Sequence, residues 1–162
     1  MPTMKALVFE TYGPPSVLSF ESREIPAPKA GEVLVKVAAS AINPSDVKNV
    51  AGHFKAPRPR VPGRYYAGVI VAGDGPIGAA VWGSGPGFGV ARDGAHQEYF
   101  VMPASWIALK PPKLGVEEAA SIGVPYLAAW SALISAAKLE PGETVLVACQ
   151  EATTLDMGGR RP

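Results

Sequence analysis

Val33-Leu34-Val35-Lys36-Val37-Ala38-Ala39-Ser40-Ala41-Ile42, followed at once by Asn43-Pro44, decides the fold. Its β-branched content suits a long strand in a barrel wall, and Pro26-Ala27-Pro28-Lys29-Ala30-Gly31-Glu32 in front of it forms a rigid turn. Behind it, Asn43 is a good N-cap and Pro44 pre-sets a helical first turn, which predicts a short helix over Ser45 to Val50. Upstream, Lys5 to Phe9 and Leu18 to Ile25 read as an opening hairpin around Tyr12-Gly13-Pro14-Pro15. Downstream, the three prolines between Ala56 and Gly63 force irregular chain. Strands are then expected at Ala67 to Ala72, Ala80 to Trp82, Gly94 to Met102 and, briefly, Ser105 to Lys110. Short strands punctuated by Gly and Pro through the first 110 residues argue a barrel or partial barrel.

The pattern then changes. Val116-Glu117-Glu118 places acids in the first turn of a helix, Gly123-Val124-Pro125 breaks it, and Tyr126 to Lys138 reads as a second, strongly apolar helix. Pro141-Gly142-Glu143-Thr144-Val145-Leu146-Val147-Ala148 reads as a turn entering a buried strand of the kind that opens a parallel nucleotide-binding sheet. No Gly-rich turn and helix follow it. Cys149 to Pro162 is polar, without apolar periodicity, and its Gly158-Gly159 pair opposes helix. The expected fold is mainly β with flanking helices: a partial β-barrel domain over 1–140, then a first nucleotide-domain strand and divergent tail over 141–162.

Composition narrows the function. At 162 residues and 48% hydrophobic, the chain can bury one sizeable core. Fifteen basic against fourteen acidic residues give a net charge of +1, with the cations scattered apart from Arg58, Arg60 and Arg64, so there is no electrostatic footprint for nucleic acid. The single cysteine, Cys149, excludes an intrachain disulfide and a multi-cysteine zinc cage, and fits a reducing cytoplasm. The apolar run before Glu10 is too short for a signal-peptide core. Ala119 to Ala137 nearly reaches spanning length, but Gly123, Pro125, Tyr126, Trp130 and three serines point to a buried helical hairpin or kinked helix rather than a membrane span.

Seven ordered segments carry a family resemblance: Met4-Lys5-Ala6; Pro28 to Val37; Ala41-Ile42-Asn43-Pro44-Ser45-Asp46; Pro62-Gly63 with Ala67-Gly68-Val69; Gly94-Ala95-His96-Gln97-Glu98-Tyr99; Ala119 to Trp130; and Pro141 to Val147. In them the chain resembles the medium-chain dehydrogenase/reductase superfamily, especially the zinc-independent quinone oxidoreductases that include zeta-crystallin. The resemblance implies a GroES-like partial barrel followed by a Rossmann domain for NADPH, and direct hydride transfer to a quinone or enone. It covers about the first 148 residues, so the chain is expected to be a substrate-side domain whose Rossmann domain is truncated, inactive or incomplete by itself.

The resemblance also suggests site residues. Asn43 would hydrogen-bond near the nicotinamide ribose, or else merely cap the following helix. Asp46 would lie near the cofactor or simply stabilise the first helical turn as an acid, and Val124 and Ala128 at a helix start would lie against the nicotinamide or serve helix packing. Lys48 and His53 line the substrate mouth or are simply solvated. Tyr65 stands on the substrate side, where the family commonly has an acid. No catalytic residue is assigned. Zinc is not expected, because a zinc-binding relative has a cysteine at Asn43 and a histidine at Arg64, and an amide and a fixed cation replace them. Gly73-Asp74-Gly75-Pro76-Ile77-Gly78 satisfies G-x-G-x-x-G, yet nearby glycines leave no room for the required helix, so it reads as a loop. Gly83 to Gly89 reads likewise as a mobile surface loop. The rival expectation is a non-enzymatic module that self-associates through an exposed C-terminal strand or the apolar face of Tyr126 to Ala137, or a truncated product without selected function.

Overall fold

The computed structural model describes residues 2–147. The chain divides into two compact units, one through Leu127 and one from Ala128 onward. The first holds the seven strands found among the described residues. β1 (Thr3–Phe9) and β2 (Leu18–Glu24) form an antiparallel ribbon, while β3 (Glu32–Ala39), β4 (Tyr65–Gly73), β5 (Ala80–Ser84), β6 (Tyr99–Pro103) and β7 (Ala108–Leu109) form a five-stranded antiparallel sheet in the order β6-β3-β4-β5-β7. The barrel is partial: among the described residues the strands form no closed ring.

The stretch from Val33 supplies β3, an interior strand of this sheet that ends at Ala39. β3 pairs with β4 on one side and β6 on the other, and shifts register against β4 between Leu34 and Val35 and between Val37 and Ala39. Its inward Val33 and Val35 join Tyr66, Ile70 and Val81 in the largest buried cluster. Tyr66 meets Phe100 edge-on at 4.9 Å, Phe88 meets Phe100 at 5.2 Å, and the Tyr66 hydroxyl donates to Met102 Sδ at 3.1 Å. Edge-to-face rings of this kind add to the gain from burial. Burial pushes the Tyr66 hydroxyl up to about 12.

The ribbon is held to the rest by backbone bonds from loops. Leu7 N–H donates to His96 O at 2.9 Å, Glu98 N–H to Lys5 O at 3.0 Å, and Phe9 and Arg60 exchange two bonds. Helix α1 (Pro44–Val50) follows β3 directly, as the Asn-Pro pair predicts. Gly73 to Gly78 closes the β4–β5 hairpin, with Asp74 N–H on Glu32 O and Gly78 N–H on Ile70 O. It opens no helix.

Four expectations need correction. The strand expected over Gly94 to Met102 starts only at Tyr99, because Gly94, Ala95 and His96 give their N–H groups to Val61, Gly63 and Pro62 rather than to a strand ladder. Gly83 to Gly89 is not wholly a surface loop: Phe88 is buried and drives into the core beside Tyr66. Over Ser105 to Lys110, a 3-10 turn at Ala104–Trp106 leaves only the two residues of β7 in strand. Finally, no strand forms over Val145 to Val147, which are exposed. An apolar extended segment becomes a strand only against a hydrogen-bonding neighbour. The polar tail, Cys149 included, lies outside the described residues.

Helix α2 (Val116–Trp130) carries acids in its first turn, where Gly115 N–H donates to Glu118 Oε2 at 2.8 Å. Ala119 and Ala120 pack on Ala67, with Trp82 beside them. Gly123 leaves helical geometry (φ −22°, ψ −117°) and Pro125 follows within the helix, which together produce the expected break. A Cβ at Gly123 would meet the Tyr65 ring at 2.4 Å, so the close approach requires glycine. Beyond α2, Ser131–Ala136 is a π-helical turn. No single helix among the described residues is long and apolar enough to cross a membrane.

Candidate functional site

The site grows from the four residues between β3 and α1. Ser40 Oγ donates to Tyr65 O at 2.7 Å, and His96 Nε2 lies 3.2 Å from Ala41 O, so the linker is fixed from two sides. Gly63 makes this possible: its φ is +100°, and a Cβ there would meet the His96 ring at 2.6 Å. Asn43 then caps α1. Its backbone N–H donates to Asp46 Oδ2 at 2.9 Å, completing a capping box, and Asn43 Nδ2 approaches the same oxygen at 3.4 Å.

Behind the cap is a hollow of about 180 Å³. Ile42, Val47, Val50 and Pro62 give it apolar walls, and Asp46 and His96 are its polar members. Asp46 is 3% exposed, with Oδ1 lacking a hydrogen-bond partner among the described residues. An unpaired buried acceptor costs about 1–3 kcal/mol. Ile42 is 76% exposed at the rim, beside half-buried Asn43, whose side chain offers both a donor and an acceptor.

The residues singled out from sequence are distributed unevenly. Asn43 and Asp46 stand together at this cap. Lys48 and His53 are exposed on and just beyond the last turn of α1, with His53 N–H on Lys48 O at 3.0 Å. Tyr65 is buried at the start of β4, its ring against the Gly123 break and its carbonyl on Ser40. The side chain of Val124 lies outside the described residues. Ala128 begins the second unit and is exposed. His96, which in sequence reads as a loop residue or a hydrogen-bonding partner, meets Ala41 O here, and nothing in the sequence singles out Ile42. Only the pairing of segments 61–63 and 94–96, remote in sequence, brings His96 beneath the cap.

Among the described residues, no three His, Cys, Asp or Glu side chains gather in a possible metal cluster. The hollow can take a small apolar group, with Asp46 and His96 as its polar members.

Residues 29–112, more than half the chain, match the alcohol dehydrogenase GroES-like domain. The chain belongs to that family, the substrate-side domain of the medium-chain dehydrogenase/reductases. It is 42% identical over 149 residues to a zinc-type alcohol dehydrogenase-like protein of Schizosaccharomyces pombe, covering 89% of this chain and 46% of that one. It is 35% identical over 160 residues to the chloroplastic NADPH-dependent alkenal/one oxidoreductase of Arabidopsis thaliana, covering 89% and 40%. Among solved structures, the quinone oxidoreductase of Coxiella burnetii superposes with a TM-score of 0.77 at 28% identity, over 88% of this chain and 47% of that one. This GroES-like chain thus spans about half the length of the curated relatives it matches.

Proposed function

We propose that the chain serves as the substrate-side domain of an NADPH-dependent, zinc-independent reductase of quinones or enones. NADPH, when bound, supplies the hydride; the protein supplies proximity and orientation. The observation that carries this reading is the Asn43 cap, where a half-buried amide sits between Ile42 and Asp46 in the chain, both of which line an apolar hollow. Asn43 would hold the nicotinamide end through its side-chain amide, Asp46 fixes the backbone of that cap, and Ile42 and Val47 offer an apolar wall for a planar acceptor. Zinc does not suit these donors: Asn43 offers an amide and Arg64 a fixed cation. Val124 and Ala128 belong to the proposed cofactor face, and Lys48, His53 and Tyr65 to the substrate side, Tyr65 acting from below through packing.

In this reading residues 1–140 form the substrate-side domain, residues 141–162 open the nucleotide side, and the protein works in the cytoplasm. Among the described residues no Gly-rich turn joins a strand to a helix so as to cradle a pyrophosphate, and the chain alone should therefore bind NADPH weakly and turn over no quinone. Titrating the 162-residue chain with NADPH, followed by backbone NMR and quinone-dependent oxidation, tests this. Weak shifts centred on Asn43 that Asn43→Ala abolishes are expected. Shifts that avoid Ile42 to Asp46 would overturn the assignment.

A second reading, self-association, is favoured by the exposure of Tyr126, Trp130, Leu146 and Val147. Light scattering should then show dimers at high micromolar concentration. A monodisperse monomer would sink it.

A further inference from the structure

We infer that the segment from Val47 to Arg58 is a docking face for the anionic headgroup layer of a lipid bilayer. Residues 47–73 hold five of the fifteen cations of the chain, Lys48, Lys55, Arg58, Arg60 and Arg64, and none of its fourteen acids. The other residues carry ten cations against fourteen acids, so a chain of net charge +1 is strongly polarised. Arg60 is committed to Asp93 at 3.1 Å, and Arg64 is only partly exposed. Lys48, Lys55 and Arg58 are exposed, and among the described residues no salt bridge engages them. Glu10, which follows the Phe9–Arg60 pair, is exposed and forms no ion pair with them either.

The segment is a preformed knuckle. Helix α1 exposes Val47 and Lys48 while it buries Asp46, Asn49 and Val50. The chain then folds back on the last turn, with Gly52 N–H on Asn49 O at 2.9 Å, His53 N–H on Lys48 O at 3.0 Å and Lys55 N–H on Gly52 O at 3.2 Å. Tyr12 pins it: its hydroxyl donates to buried Ala56 O at 2.7 Å, and the Arg58 guanidinium carbon lies 4.2 Å from the centre of its ring. Lys55 takes a φ of +50°, uncommon for a residue with a side chain, so the tip is held by its surroundings rather than by preference.

Composition specifies the occupant. Val47 and Phe54, 46% and 43% exposed, adjoin Lys48 and Lys55 in the chain. Cations alone would suit any polyanion, whereas cations interleaved with exposed apolar side chains suit a surface that is anionic outside and hydrocarbon beneath. With three free cations and one exposed ring, the attachment is peripheral and reversible. Val47 also lines the apolar hollow beside the Asn43 cap, so a lipid-soluble acceptor would enter from the bilayer side. That entry rests on the reductase reading above; the docking face does not.

The test is sedimentation of the 162-residue chain with vesicles of phosphatidylcholine alone and of phosphatidylcholine with phosphatidylglycerol in equal parts. At low salt the chain should bind the anionic vesicles and leave the neutral ones, and it should be released at about 1 M salt, where charges are screened beyond about 3 Å. Lys48→Gln and Lys55→Gln should each weaken binding about fivefold, the equivalent of about 1 kcal/mol per cation beside an anionic surface. Phe54→Ser should weaken it without changing its salt dependence, and Lys113→Gln, an exposed cation elsewhere, should leave it unchanged. Equal binding to neutral vesicles, anionic binding that survives both lysine substitutions, or no sedimentation with either vesicle would overturn the docking face. A chain that ignores the vesicles but binds soluble polyglutamate through the same lysines would mean an acidic protein partner and overturn it too. None of these outcomes touches the reductase reading, which the NADPH titration decides separately.

Discussion

The strands β3 and β4 and the segment from Tyr126 to Val147 are both mostly apolar in sequence, yet one is the core and the other is largely exposed. Val33, Val35, Tyr66 and Ile70 lose nearly all their solvent contact, whereas Trp130 keeps 62% of it and Leu146 keeps 93%. What differs is partnership. β3 has a hydrogen-bonded neighbour on each side, and its inward residues meet Phe88 from a glycine-rich loop and Phe100 from β6. Val145 to Val147 have no such neighbour among the described residues. Hydrophobicity in sequence is thus a capacity that stabilises only where topology supplies a surface to cover.

The sharpest way to break this comparison is to truncate one residue from each region. Tyr66→Ala removes a ring packed against Phe88 and Phe100 and should cost about 3–5 kcal/mol of unfolding free energy, as large-to-small core changes do. Leu146→Ala should stay within about 0.5 kcal/mol, the usual range for exposed positions. Urea unfolding of both variants measures the contrast. A large cost for Leu146→Ala would mean that the C-terminal segment is covered in solution after all, most simply by a second copy.

Alkaline pH probes the same core without a cavity. Tyr66 is held up to about 12 by burial, above the ordinary value of 10.0. Because its folded pKa is raised, the stabilisation is fully present below pH 10 and is lost as pH rises toward 12, when the unfolded chain gains by ionising. At about 1.4 kcal/mol per unit, the loss approaches about 3 kcal/mol. Tyr66→Phe should flatten the stability profile in this window. An unchanged profile would assign the alkaline loss to other groups and weaken the picture of Tyr66 as sealed from water.

Much of the fold was legible because its signals are local. β-branched runs mark β3 and β4, the Asn43-Pro44 pair marks the start of α1, and Gly123-Val124-Pro125 marks the helix break. The errors arose where distant backbone decides. Gly94 to His96 look like strand, but the carbonyls of Val61, Pro62 and Gly63 take their N–H groups and turn them into a loop ladder. Phe88 sits among glycines that signal a surface loop, yet its ring finds Tyr66 and Phe100. The candidate site divides in the same way: the Asn43–Asp46 cap is a spacing, whereas His96 beneath it depends on a contact across 55 residues.

A smaller effect than either probe of Tyr66 belongs to the cap itself, which is held by hydrogen bonds rather than by burial of a large apolar side chain. Asp46 gives with one oxygen and costs with the other: Oδ2 accepts from Asn43 N–H, while buried Oδ1 has no partner among the described residues. Asp46→Ala removes both, so the loss of a capping acceptor, about 1 kcal/mol, is partly offset by relief of the unsatisfied oxygen. Urea unfolding should therefore show a change of at most about 1 kcal/mol with an unchanged slope, since little surface is redistributed. A loss well above that would mean that Oδ1 has a partner in solution. The Asn43 amide would then be anchored to a bound group rather than to its own helix, and the cap would belong to the stabilised core.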